Sequence, residues 1–142
     1  MRFILLLIPF VLLACGREPP APGPTEPPEI ALPTGVSELT PAEARQWITA
    51  HPDGLILDVR MEDEVTREGK IEGAQNHNVL GWQNTEAQLM ANDRSKPCLI
   101  YCALGLRSRI AAVKLHEVGF KNLSVLKGGL NTWILSGQPV VK

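Results

Sequence analysis

From Val36 onward, short apolar runs alternate with segments in which apolar residues recur every three or four positions. Three runs, at 55–59, 98–101 and 123–126, are almost continuously apolar, which is typical of strands buried on both faces. Helices are predicted between and around these runs, at 41–50, 62–67, 84–91, 107–118 and 131–135. The pattern therefore predicts one domain of alternating strands and helices over residues 36–142.

The ends of two of these helices carry their own signals. Helix 41–50 has Thr40 as a predicted N-cap, a proline at the first helical position, and Glu43 where a capping box places its acid. The clearest helix, 107–118, is followed by Gly119, which suits a left-handed stop. Strands separated by helices predict an α/β fold, in which a parallel sheet is covered by helices on both faces.

The amino terminus follows a different pattern. Residues 3–14 carry no charge, but they are fewer than the roughly 20 residues that span a bilayer, and Pro9 would break a helix there. We interpret residues 1–14 as a signal peptide. Its end, Leu-Leu-Ala followed by Cys15, resembles the lipobox of bacterial lipoproteins. That resemblance implies cleavage before Cys15 and attachment of diacylglycerol and an acyl chain such as palmitate to this cysteine.

Residues 15–35 are predicted to be a tether. Seven of the chain's 12 prolines lie between residues 17 and 34, and this composition favours extended polyproline geometry over a packed core. Such a segment would hold the domain at most roughly 50 Å from its anchor. We expect a membrane-anchored lipoprotein facing the periplasm, and Gly16 after the cysteine resembles the pattern for outer-membrane sorting.

Composition narrows the classes of partner. The 142 residues include 14 Lys+Arg and 15 Asp+Glu, for a formal net charge of −1, so no basic surface for nucleic acid is expected. Three cysteines are too few for a disulfide framework. The histidines His51, His77 and His116 have no metal-ligand spacing, so we predict no metal site.

The candidate chemistry lies on the turn between the second buried strand and the clearest helix. Cys102 ends that strand, and the positive end of the following helix favours a thiolate over a thiol. Gly105 lets the backbone turn tightly around the sulfur. Arg107 offers a permanent charge and a fork of donors suited to an oxyanion, and Ser108 can cap the helix or donate to the sulfur. These features together predict a nucleophilic cysteine.

Cys102 to Ser108 fit the pattern Cys-x-x-Gly-x-Arg-Ser, which resembles the active-site loop of single-domain rhodaneses. Other segments match that family in order: 57–60 with Glu64, 69–74, 111–120, 126–129 with Trp133, and 137–140. The resemblance covers residues 36–142. It implies a single rhodanese-like domain whose central, mostly parallel sheet has five strands.

The resemblance also implies a reaction. Cys102 would take a sulfane sulfur from thiosulfate, polysulfide or a small persulfide, carry it as a persulfide, and pass it to a thiol or a cyanide-like acceptor. A protein thiol is a further acceptor, no cofactor is needed, and we expect a monomer. Asp58 and Arg60 are interpreted as supporting residues that position the loop. The substrate contacts are assigned to the loop residues Ala103, Leu104, Gly105, Leu106, Arg107 and Ser108.

Two alternatives remain open at this point. Phosphatases and arsenate reductases on the same scaffold have five residues between the cysteine and the arginine, whereas Cys102 and Arg107 are separated by four. The other alternative is a membrane-tethered binding module or a redox sensor in which Cys102 becomes a sulfenic acid. Cys98 is interpreted as buried packing, because four residues of strand span about 13 Å, too far for a disulfide with Cys102.

Overall fold

The computed structural model describes residues 30–82, residue 89 and residues 94–142. The predicted signal peptide, the lipidation site at Cys15 and most of the tether lie outside the described residues. The helix predicted at 84–91 also lies outside them, except for the buried Leu89. Within the described ranges, no helix has the length and apolar character that a membrane span requires.

A five-stranded sheet forms the centre of the fold. Its strand order is β1-β5-β4-β2-β3, and the four pairings made by the described residues are all parallel. The strands are β1 Ser37–Leu39, β2 Leu55–Asp58, β3 Gln75–Asn76, β4 Cys98–Tyr101 and β5 Leu123–Leu126. The expectation of an α/β domain with a mostly parallel, five-stranded sheet is confirmed.

Helices connect the strands. They are α1 Pro41–Ala50, α2 Glu62–Glu68, α3 Leu106–Glu117 and α4 Gly129–Leu135, with a 3-10 turn at Val79–Gly81. The predicted capping box on α1 is present: the Glu43 backbone N–H donates to Thr40 Oγ1 at 3.4 Å, and the Thr40 backbone N–H donates to Glu43 Oε2 at 2.8 Å. These bonds satisfy donors that the first turn of a helix would otherwise leave unpaired.

Successive residues of the strands enter two separate cores. Cys98 and Ile100 of β4 join a cluster with α3, whereas Leu99 and Tyr101 join a cluster with α1 and α4. This division follows from the alternation of side chains along a strand. Because both faces of the sheet are covered, the central strands β2, β4 and β5 are mostly apolar. Because the pairings are parallel, the carboxyl ends of the strands meet at one edge.

Two strands and one helix start differ from the sequence prediction. β1 and β3 were not predicted individually, because they are short and lack an apolar run. α4 begins at Gly129, two residues before the predicted start, with Gly128 as its N-cap in a left-handed conformation. Glycine is a poor helix former, so the pattern gave no reason to extend the helix over Gly129.

Candidate active site

Cys102 lies immediately after β4 at the carboxyl edge of the sheet and is only 1% exposed. Its Sγ accepts a hydrogen bond from the backbone N–H of Gly105 at 3.0 Å. Gly105 is the N-cap of α3 and has a φ of 101°, a conformation that residues with side chains rarely adopt. The loop therefore turns back on the sulfur, and a backbone donor at the start of a helix points at the cysteine, which favours an anionic sulfur.

Ser108 lies beneath the same loop and is fully buried. Its hydroxyl donates to the carbonyl of Gly105 at 2.8 Å, and the Cys102 thiol lies 3.8 Å from Ser108 Oγ in the direction of a weak S–H donor. From its position in the sequence, Ser108 was expected either to cap the helix or to donate to the sulfur. Instead, the hydroxyl donates to the loop backbone and accepts from the thiol, which ties the loop to the first turn of α3.

Arg107 pairs with Glu64 on α2, 43 residues earlier in the chain. Its Nη1 donates to Glu64 Oε2 and its Nη2 donates to Glu64 Oε1, both at 2.6 Å. Glu64 is buried, and its Oε2 also accepts the backbone N–H of Met61 at 3.0 Å. The hydrogen bonds from Arg107 lower the pKa of Glu64 to about 2, while Glu64 raises the pKa of Arg107. The fork of donors expected to face an oxyanion is thus occupied by a carboxylate of α2.

The floor of the loop comes from the start of α4. The backbone N–H of Leu130 donates to the carbonyl of Cys102 at 2.7 Å, and that of Asn131 donates to the carbonyl of Ala103 at 3.1 Å. Gly129 has a φ of 64°, and a Cβ on it would overlap the backbone of Cys102 and Ala103. The backbone of the Cys102 loop and the backbone at the start of α4 are so close that residue 129 must lack a side chain.

Asp58 and Arg60 form a buried ion pair beside β4, the strand that leads into the Cys102 loop. The Arg60 Nη2 donates to Asp58 Oδ2 at 2.7 Å and to the carbonyl of Gly69 at 2.6 Å, and both side chains are fully buried. Burial alone would lower the pKa of Arg60, but its hydrogen bonds with Asp58 outweigh that effect and raise it. Arg60 also lies over the Tyr101 ring, 5.9 Å from its centroid. These residues bridge β2, α2 and β4, and their contacts in the structure hold those elements together.

The surface of the loop is apolar. Leu104 is 70% exposed and Leu106 is 48% exposed, while Ala103 is partly buried. A more distant cation, Arg109, pairs with Glu38 Oε1 at 2.6 Å. The loop thus presents leucine side chains to solvent around a buried sulfur.

The second described cysteine is separate from this site. Cys98 is fully buried, and desolvation raises the pKa of its thiol. Both Cys98 and Cys102 are free thiols. No cluster of three or more His, Cys, Asp or Glu side chains suited to a metal ion occurs among the residues that the structure describes.

The geometry is that of a buried cysteine at a strand-to-helix loop in a parallel sheet, and comparison with known proteins agrees. A family profile described as the rhodanese-like domain matches residues 40–136. The chain belongs to the rhodanese-like family. The match spans the whole sheet except β1, together with the Cys102 loop and α4.

Individual relatives include enzymes named for sulfur transfer. This rhodanese-like chain is 39% identical over 79 residues to a tRNA sulfurtransferase of Erwinia tasmaniensis, covering 55% of the chain but only 16% of that protein's length. It is 36% identical over 81 residues to the thiosulfate sulfurtransferase GlpE of Coxiella burnetii, covering 57% and 72%. Sulfur transfer is thus the activity named for these two relatives.

Other relatives show how widely the fold is used. The chain is 28% identical over 130 residues to a dual specificity phosphatase, Cdc25, of Arabidopsis thaliana, covering 83% of this chain and 86% of that one. The solved polysulfide-sulfur transferase homodimer of Wolinella succinogenes aligns with a TM-score of 0.62 and 27% identity over 75% of this chain and 79% of that one. The proteins that this chain is similar to are therefore named for two classes of reaction, sulfur transfer and dephosphorylation.

Two residues that shape the site could not be found by their chemistry in the sequence. Glu64 stands out only as part of a family segment, and nothing in its spacing from Arg107 indicates that the two pair. Gly129 stands out only as part of a Gly-Gly signature. A glycine pair one residue after a buried strand is the one available signal for the close approach of two backbones.

Proposed function

We propose that this domain is a sulfurtransferase that carries a sulfane sulfur as a persulfide on Cys102. The observation that carries the proposal is the 3.0 Å hydrogen bond from the Gly105 N–H to Cys102 Sγ, made at the N-terminus of α3. A donor fixed at that point stabilises a thiolate before transfer, as preorganised donors do in other covalent mechanisms. The sulfurtransferase relatives support the same reaction class.

The reaction divides into two balanced half-reactions. The Cys102 thiolate attacks the outer sulfur of a donor, an S–S bond to Cys102 forms, and the donor's own bond to that sulfur breaks with its electron pair on the leaving group. With thiosulfate the leaving group is sulfite, and with a persulfide it is a thiolate. An acceptor thiolate or cyanide then attacks the outer sulfur of the persulfide and regenerates the Cys102 thiolate. Such a scheme gives ping-pong kinetics.

Phosphatase activity is the alternative that the Arabidopsis relative raises. Two features of the loop disfavour it. Only four residues separate Cys102 from Arg107, which leaves a smaller ring of donors than the five-residue loop of the phosphatases. In addition, both terminal nitrogens of Arg107 already donate to Glu64. We therefore favour transfer of a single sulfur atom over recognition of a tetrahedral phosphate.

The proposed place of action is the periplasmic face of a membrane, with outer-membrane attachment expected from Gly16. A lipid on Cys15 and the tether 15–35 would hold the domain there. This proposal rests on the sequence alone, and one labelling experiment tests it. Labelled palmitate should enter the wild-type chain in bacterial cells but not the Cys15→Ser variant, and equal labelling of both would contradict lipidation at Cys15.

A donor and acceptor screen tests the proposed reaction. Purified domain is mixed with thiosulfate, polysulfide or glutathione persulfide and a thiol acceptor, and sulfide release is followed, with Cys102→Ser as the control. Turnover by the wild type alone, with parallel lines in double-reciprocal plots, supports the proposal. Turnover of an aryl phosphate that is lost in Cys102→Ser, without sulfur transfer, would support the phosphatase alternative instead. Faster sulfenylation by peroxide than sulfur turnover would favour the redox sensor.

A further inference from the structure

Four arginines lie in or beside the elements that surround Cys102, and each of them forms an ion pair with at least one carboxylate. Their partners are Asp58 and Glu68 for Arg60, Asp63 and Glu68 for Arg67, Glu64 for Arg107, and Glu38 for Arg109. Each of these arginines could attract an anionic substrate, but a neighbouring carboxylate offsets its positive charge.

The pair next to the sulfur is the tightest of these. Arg107 and Glu64 share two hydrogen bonds of 2.6 Å, and their side chains are only 23% and 12% exposed. The low pKa of Glu64 keeps its carboxylate ionised at neutral pH. The pair thus has no net charge. Because it is largely buried, dissolved salt screens its electrostatic interactions less than those of an exposed pair.

The surface that a substrate meets is apolar. Leu104 and Leu106 are exposed on the loop itself. Met61 is 39% exposed, and its backbone N–H donates to the same Glu64 oxygen that Arg107 Nη1 contacts. Three apolar side chains thus lie on the loop and next to the Arg107–Glu64 pair, where a dianion would need cations.

We propose that Glu64 is a specificity-determining positioning residue, which neutralises Arg107 and so directs this site to organic hydropersulfides rather than to dianionic thiosulfate. The inference rests on the proposed sulfur transfer through Cys102. A thiosulfate ion carries two negative charges toward a thiolate beside an ion pair with no net charge. A hydropersulfide is neutral or carries one charge, and its organic group can contact the leucines.

The transfer from a hydropersulfide balances without a further reactant. The Cys102 thiolate attacks the terminal sulfur, a new S–S bond forms, and the S–S bond of the donor breaks. The electron pair leaves on the organic thiolate, and the proton stays on the transferred sulfur. One negative charge is present before and after the step.

The test compares two donors on matched variants. Benzyl hydropersulfide and thiosulfate are each mixed with the wild type, Glu64→Gln and Asp63→Asn, and persulfide formation is followed by rapid quench and intact-mass spectrometry over a range of donor concentrations. Asp63→Asn removes the same charge from the same helix, but Asp63 is exposed and its ion pair is with Arg67 rather than Arg107. It is therefore the control for a general change in charge.

Wild type is expected to form persulfide at least about tenfold faster per mole of benzyl hydropersulfide than of thiosulfate. Glu64→Gln should lower the KM for thiosulfate by about fivefold or more with little change in the maximal rate, and it should change the hydropersulfide reaction by a clearly smaller factor. Asp63→Asn should behave as wild type. A wild type that prefers thiosulfate, or a donor ratio in Glu64→Gln equal to that in wild type, would overturn the inference.

A second variant separates charge from folding. Leu104→Lys places a cation at a position with 70% exposure and leaves the Arg107–Glu64 pair in place. It should raise thiosulfate reactivity as Glu64→Gln does, and a failure to do so would also count against the inference. If no donor gives a persulfide on any variant, the proposed function itself fails. That result is distinguishable from a reversed preference between two active donors.

Discussion

The backbone carbonyl of Cys102 accepts a hydrogen bond from the backbone N–H of Leu130 at 2.7 Å, which ties the reactive loop to the first turn of α4. The contact depends on the residue before Leu130. Gly129 has a φ of 64°, and any side chain on it would overlap the Cys102 and Ala103 backbone. The position of the sulfur is therefore set from two sides, by the Gly105 N–H on one side and by α4 on the other.

Gly129→Ala should destabilise the domain and displace the loop. Gly73→Ala is the matched control, because Gly73 has a similar φ of 78° but a Cβ added there would meet no atom within 4 Å. The control should lose only the cost of a left-handed conformation, about 1–2 kcal/mol. Gly129→Ala should lose more in urea unfolding, and it should also lose sulfur transfer. Equal losses in the two variants would show that the close backbone approach has no energetic weight.

The ion pair between Glu64 and Arg107 should make stability depend on pH. The hydrogen bonds that Arg107 donates to Glu64 lower the pKa of Glu64 from 4.5 to about 2 in the folded state. The stabilisation is therefore present above the ordinary pKa and is lost as pH falls from about 4.5 toward 2, with an upper value of about 3 kcal/mol. Urea unfolding of wild type at about pH 6 and about pH 3 measures the larger part of this loss.

Glu64→Gln should show a smaller fall in unfolding free energy over the same interval, because no carboxylate remains there to be protonated. Asp63→Asn should retain the wild-type dependence, since Asp63 lies on the surface at 4.0 Å from Arg67. If Glu64→Gln and wild type lost stability equally on acidification, the Arg107–Glu64 pair would not be the source of the effect.

Removing only one partner of the buried Asp58–Arg60 pair should strongly lower the free energy of unfolding. Arg60→Met leaves the Asp58 carboxylate buried without its partner, and such changes typically cost about 3–5 kcal/mol. The double variant Asp58→Leu, Arg60→Met removes both charges and should recover much of that loss. Urea unfolding of wild type, Arg60→Met and the double variant measures the loss of stability and its recovery. A double variant less stable than Arg60→Met would contradict this account of the pair.

The two described cysteines should differ in function. Cys98 is fully buried in the core, and desolvation raises the pKa of its thiol, so it stays neutral and unreactive. Cys98→Ala should therefore retain sulfur transfer. The measurement is sulfide release by the variant and by wild type under the same conditions. Loss of transfer in a folded Cys98→Ala protein would give Cys98 a chemical role that its burial argues against.

Much of the fold was predictable because its central strands are buried on both faces. β2, β4 and β5 are almost continuous apolar runs, and the predicted bounds match them closely. β1 and β3 have three and two residues, so they are strands only through their pairing with β5 and β2. A pattern along the chain cannot indicate a partner that lies far away in sequence.

The candidate site divides in the same way. Cys102, Gly105 and Ser108 lie on one turn, and local sequence was enough to predict that they would meet. Arg107 was expected to face a substrate, but its partner Glu64 is on α2, and only the folded sheet brings the two together. The charge of the site could not be predicted from the loop alone for this reason.

The most direct test of sulfur transfer through Cys102 is the intact mass of the domain after incubation with a sulfane donor such as glutathione persulfide. We expect wild type and Cys98→Ala to gain about 32 Da, one sulfur atom, with fragment ions placing it on Cys102. Subsequent addition of cyanide or a thiol should remove it. Cys102→Ser should gain nothing. An unmodified wild type with thiosulfate, polysulfide and glutathione persulfide alike, or an equal gain on Cys102→Ser, would contradict the account.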